Sequence, residues 1–97
     1  MQTLALLAIL DAKPGKEQAV ADMLQSALEM AKAEEGTVHW YALQLAPSTF
    51  GIFDTFESED GRQAHLSGPI AQALMAHVDE LLASPPEIRP VTLLAVK

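Results

Sequence analysis

Two rhythms of apolar and polar positions run along the chain, and they alternate. Thr3 to Leu10 is an almost unbroken apolar run, as expected of a strand covered on both faces. Lys13-Pro14-Gly15-Lys16 marks a turn. From Lys16 to about Glu35 the apolar residues are Val20, Met23, Leu24, Ala27, Leu28 and Ala31, the one-sided spacing of an amphipathic helix, with Gly36 where a C-cap belongs. Thr37 to Ala46 predicts a second strand. Pro47-Ser48 predicts a turn and Thr49 to Phe56 a third strand, rich in Phe, Ile and Thr. Ser58 fits the N-cap of a short helix from Glu59 to Leu66, with Glu59 and Asp60 near its positive end. Gly68-Pro69 breaks that helix and opens the next, whose stripe is Ile70, Ala73, Leu74, His77, Val78, Leu81 and Leu82. Ser84-Pro85-Pro86 ends it. Ile88 to Lys97 predicts a last strand, and Pro90 within it points to an edge or a bend.

The order β-α-β-β-α-α-β predicts an α+β fold with one domain over residues 1–97. A four-stranded antiparallel sheet with its helices on one face, ferredoxin-like, is the economical solution. The first strand offers Leu4, Leu6 and Leu10 to one side and Ala5, Leu7 and Ile9 to the other. The helices cover one face, so the second face needs a cover, and another copy of the same sheet would supply it. The expected partner is therefore the chain itself, as a homodimer.

Composition narrows the classes. A formal charge of −7 with few Lys and Arg makes a poor ligand for nucleic acid or an anionic membrane. The chain has no cysteine, which removes disulfides, thiol catalysis and thiolate metal sites. The apolar start lacks a basic region and runs into Asp11, Lys13 and Pro14, so it reads as a strand and not as a signal peptide. No apolar run is long enough to span a membrane. A cytoplasmic protein is expected.

Chemistry concentrates where the third strand runs into a helix carrying one histidine. Arg62 and His65 are three residues apart and share a helix face beside an apolar strand, one way to build a small-molecule pocket. Neutral imidazole can accept a proton near pH 7, and Arg62 could steady an anionic oxygen, so His65 and Arg62 are the catalytic candidates. A tight turn at Pro47-Ser48 would set Trp40 opposite Thr55 and Ala42 opposite Phe53, on one face, with His39, Tyr41, Asp54 and Phe56 on the other. Trp40 would give an aromatic ligand a flat wall. His77 interrupts an apolar stripe, and Met23, Met30 and Met75 read as core filling or pocket lining. His39 and Asp54 read as structural polar contacts. The three histidines lie on different elements without a metal-site spacing, and the five glycines are isolated, so neither a metal site nor a phosphate loop is expected.

Lys13-Pro-Gly-Lys-Glu17, Glu34-Glu-Gly36 and Phe53-Asp-Thr-Phe56 running on to Ala64-His65 resemble the antibiotic biosynthesis monooxygenase family in their order and spacing. The resemblance covers nearly the whole chain. It implies a dimeric α+β barrel of two ferredoxin-like protomers. Its members include cofactor-free quinol and polyketide monooxygenases, haem-degrading enzymes and a signal-molecule isomerase. The haem-degrading branch resembles this chain at His65. Its tryptophan ten residues earlier is Thr55 here, and its first-strand asparagine has no counterpart, because the chain contains no asparagine. In the family the position of Thr55 faces the helices, which would bring Trp40 into the helix-side cavity. The resemblance thus implies a monooxygenase without cofactor, acting with molecular oxygen on a phenol, quinol or polyketide-like aromatic. His65 would be the base and Arg62 the oxyanion partner, with Trp40, Phe53, Thr55, Leu74 and His77 around the substrate. The alternatives are an isomerase of a small carbonyl metabolite using the same base, and a non-catalytic dimeric metabolite-binding protein.

Overall fold

The structure is a computed structural model and describes residues 3–97; Met1 and Gln2, included in the expected domain, lie outside the described residues. The elements are β1 (Leu4–Asp11), α1 (Glu17–Ser26), α2 (Leu28–Ala33), β2 (Thr37–Ala46), β3 (Thr49–Phe56), α3 (Glu59–Leu66), α4 (Pro69–Ala76), α5 (Val78–Leu81) and β4 (Glu87–Thr92). The strands form one antiparallel sheet in the order β2-β3-β1-β4. This is the expected ferredoxin-like arrangement, and β4 with Pro90 lies at an edge, where a missing N–H does least harm.

Each long predicted helix is interrupted once. The first breaks at Ala27, whose N–H is shared between the carbonyls of Met23 and Leu24. Ser26 Oγ also donates to the Met23 carbonyl at 2.8 Å, a local bond that competes with the regular ladder. The second breaks at His77, the C-cap of α4, with φ −109° and ψ 3°. The last strand stops at Thr92, short of the expected Lys97. Ser58 does cap α3, accepting from the Gly61 N–H at 3.1 Å, and Pro69 follows the Gly68 N-cap of α4.

Gly36 does something other than cap a helix. Helix α2 ends at an extended Glu34, and Gly15 is the described residue with a positive φ. A Cβ on Gly36 would stand 2.9 Å from the Gly61 Cα, so both glycines are needed where the start of β2 crosses α3.

The register of β2 on β3 corrects the expected face assignment. Ala46 does pair with Thr49 across Pro47-Ser48, but the ladder then shifts between Gln44 and Ala46, leaving Leu45 as an extra residue. Beyond this bulge Trp40 pairs with Asp54, Tyr41 with Phe53 and His39 with Thr55. One inserted residue moves every following side chain to the opposite face. Trp40, Asp54 and Phe56 thus share the helix side, while His39, Tyr41, Phe53 and Thr55 share the other.

The core lies between the helix-side face and the helices. Leu10, Phe50, Ile52 and Phe56 of the sheet are buried with Val20, Leu24, Ile70, Leu74, Leu81 and Leu82. On the far face Leu7, Ile9, Leu43, Phe53 and Val91 are only half-buried, and Tyr41 is 51 % exposed. His39, Tyr41 and Phe53 stack along it, with ring centroids 6.3 and 6.5 Å apart.

Candidate active site

Three elements meet at His65. Helix α3 carries the ring inward from its last turn, against Phe56 with centroids 5.4 Å apart. From β3, Asp54 reaches it on the helix side, because the strand's alternation turns Asp54 inward with Ile52 and Phe56. From the segment joining α2 to β2, Glu34 reaches it on the outer side. His65 Nδ1 stands 2.6 Å from Glu34 Oε1, and Nε2 stands 2.8 Å from Asp54 Oδ2. Thr37 Oγ1 donates to the same Glu34 oxygen at 2.9 Å. His65 is 8 % exposed and Asp54 1 %.

Both Asp54 oxygens lack a well-formed hydrogen bond, as do Glu34 Oε2 and the Trp40 indole N–H, all of them buried. The short contact from Asp54 Oδ2 to His65 is therefore an ion pair held by charge and distance, and not an aligned hydrogen bond. Asp54 Oδ1 is left with no partner. Such a group is costly to bury empty, which makes it a site where water or a ligand donor belongs.

Asp54 and His65 line a cavity of about 40 Å³ walled by Leu6, Ala8, Ile52, Leu66, Ile70, Ala71, Leu74 and Ile88. A second cavity of about 120 Å³ lies beyond Ile52, Ile70 and Leu74, lined by Met23, Leu24, Met30 and His77 among others. The two share those three side chains as a partition. A third hollow of about 120 Å³ lies on the outer side of His65, with Glu34, Thr37, Gly36, Gly61 and Pro69 around it.

Residues 3–77 match the antibiotic biosynthesis monooxygenase family. The chain belongs to this family. A solved protein of unknown function from Nitrosomonas europaea is 60 % identical over 100 % of this chain and 94 % of its own, with a TM-score of 0.98. A Pseudomonas aeruginosa protein shares the fold at 20 % identity, TM-score 0.83, over 98 % of this chain and 97 % of its own. A second Nitrosomonas europaea protein, proposed as an antibiotic biosynthesis monooxygenase, does so at 18 % identity, TM-score 0.83, over 95 % of this chain and 90 % of its own. No curated protein matches the chain.

In this member of the family the expected site residues divide. His65 and Leu74 line the inner cavity, and His77, 49 % exposed on its side chain and 3.9 Å from Glu80, lines the second. Trp40 packs against the core on the same side, opposite Asp54 rather than Thr55, but it does not line either of these two cavities. Phe53 and Thr55 are on the far face. Thr55 Oγ1 accepts from the His39 backbone N–H at 3.1 Å, and Phe53 stacks on Tyr41. Arg62 is turned away: its guanidinium donates to Glu59 at 2.6 Å and to the Ala5 carbonyl at 3.3 Å, so α3 spends this cation on its own first turn and on β1.

The electrostatics also change the reading of His65. Burial pushes its imidazolium down, but the contacts to Asp54 and then Glu34, with their charges, outweigh this and raise it from 6.5 to about 9. Near neutral pH the ring is a cation without a free lone pair. Asp54 and Glu34 are the members that sequence reading missed. A carboxylate inside the Phe-Ile-Phe strand was the visible signal for Asp54; Glu34, in a run of two glutamates, carried none. Asp54 and Glu34 sit on opposite sides of the ring, and among the described residues no group of three His, Cys, Asp or Glu is placed to hold a metal ion.

Proposed function

We propose that this chain is a cofactor-independent monooxygenase acting on a small phenol, quinol or polyketide-like aromatic, bound on the helix side of the sheet with its hydroxyl toward Asp54. The observation that carries this is the buried, partnerless Asp54 oxygen in an otherwise apolar cavity. It asks for a ligand that is greasy except for one hydrogen-bond donor. Membership of the family supports oxygen as the second reactant.

The chemistry balances on substrate and oxygen alone. Asp54 Oδ1 takes the hydroxyl proton, and the phenolate passes electrons to oxygen. One oxygen atom becomes a ring carbonyl in place of a C–H bond. The other leaves as water with the ring hydrogen and the proton that Asp54 returns. The substrate supplies all four electrons. The protein's share is to bind, to exclude water and to move one proton. His65 as a cation holds Asp54 in place by charge, while Leu74 and His77 wall the two cavities. The reading includes a second copy of the chain covering the far sheet face.

Oxygen uptake with hydroquinone and naphthol-type substrates tests the reaction class. One oxygen consumed per molecule oxidised is the expected result. Substrate turnover under nitrogen would point to the isomerase alternative. Tight binding without turnover would leave a metabolite-binding protein.

A further inference from the structure

His65 offers two nitrogens, and each faces a different carboxylate at ion-pair distance: Asp54 at Nε2 and Glu34 at Nδ1. A neutral imidazole donates from one nitrogen only. It would set a lone pair against one of the two carboxylates. Only the doubly protonated ring suits both. Consider Asp54 and His65 without Glu34. An isolated ion pair in an apolar site loses much of its hydration, and handing the proton from ring to carboxylate removes both charges at once. Asp54 would then be a neutral carboxyl: its other oxygen could still accept a hydrogen bond, but the group could no longer take a proton from a ligand.

We propose that Glu34 is a positioning residue of the site: bonded to the outer nitrogen of His65, it keeps the proton on the ring and leaves Asp54 facing the cavity as a charged carboxylate able to take a proton. The role of Asp54 in this statement rests on the monooxygenase reading; the charge of His65 does not. The fold is built to hold Glu34 there. The Thr37 hydroxyl fixes its carboxylate, and the close crossing of Gly36 and Gly61 presses the start of β2 onto α3. The other neighbours of the ring cannot substitute for it. Arg62 on α3 is engaged by Glu59 and the Ala5 carbonyl, Glu35 is exposed, and β1 and α4 bring Leu6, Ala8, Ile70 and Leu74. The raised titration of His65, to about 9, agrees with this geometry.

The test is a pH titration of the ligand-free protein, labelled in its histidine rings, by nuclear magnetic resonance. Loss of one signal set in His65→Gln assigns the ring. In the wild type His65 should keep two ring N–H protons at pH 8. In Glu34→Gln, which keeps size and shape, its midpoint should fall by about one unit or more. A wild-type His65 that titrates like a free histidine overturns the proposal, and so does a midpoint unmoved by Glu34→Gln. Should the variant fail to fold, the wild type decides alone: two ring protons at pH 8 support the proposal and one overturns it. The outcome separates from that of the function. A raised midpoint without oxygen uptake on any quinol removes the monooxygenase and keeps the role of Glu34. Oxygen uptake with a normally titrating His65 does the reverse.

Discussion

His65 was visible in the sequence as a polar residue at the end of a helix beside an apolar strand. Its partners were not, because they arrive from positions 11 and 31 residues away and on two other elements. A histidine read alone is a base near pH 7; the same histidine between two carboxylates is a fixed cation. That difference is measurable as stability. A folded-state value raised from 6.5 to about 9 gives a contribution that is complete below pH 6.5 and lost as pH rises through about 9. At about 1.4 kcal/mol per unit, with allowance for residual screening, the loss is roughly 2–3 kcal/mol. Urea unfolding at pH 6.5, 8 and 9.5 should show it. His65→Gln should flatten this decline; an equally steep one in the variant would place the effect elsewhere. Arg62 illustrates the opposite limit. Helical spacing put it on one face with His65, yet Glu59, also three residues away, holds its guanidinium.

At the scale of elements, the strands and helices are legible from apolar periodicity, and their antiparallel sheet follows from the succession β-α-β-β-α-α-β. What escaped was the register of β2 on β3 and the face that β3 turns to the helices. The turn at Pro47-Ser48 was read correctly, but the bulge at Leu45 resets the register, and no residue type in Leu43-Gln-Leu45 announces it. That shift set Trp40 opposite Asp54 instead of Thr55, while the alternation of β3, paired without interruption to β1, turns Asp54 inward and Phe53 and Thr55 to the far face. Gly36 likewise stands where a helix cap is expected and serves another purpose. Its task is the close crossing with Gly61, so Gly36→Ala should cost about 1–3 kcal/mol, the usual penalty of overpacking against backbone. Thermal unfolding measures it. A variant as stable as wild type would mean that β2 and α3 can part without loss, contrary to the packing described.

For the whole molecule, the two-sided apolar character of β1 signals a second sheet face in need of cover, and Leu7, Ile9, Tyr41 and Phe53 lie on that face. An acidic chain of this size with such a face is expected to self-associate. Light scattering at micromolar concentration should give twice the monomer mass, and Phe53→Glu should reduce it toward one; a monomeric wild type would contradict the barrel. Family and fold were therefore readable from pattern and spacing, whereas the inward facing of Asp54 required the pairing of β3 with β1. The decisive comparison is oxygen uptake with an active quinol, wild type against Asp54→Asn, with folding checked by circular dichroism. Asparagine keeps the shape and removes the base. With Asp54 as the proton acceptor, turnover should fall by about 10²- to 10⁴-fold. Undiminished turnover in folded Asp54→Asn would contradict that role, because the proton would then be leaving the substrate by another route.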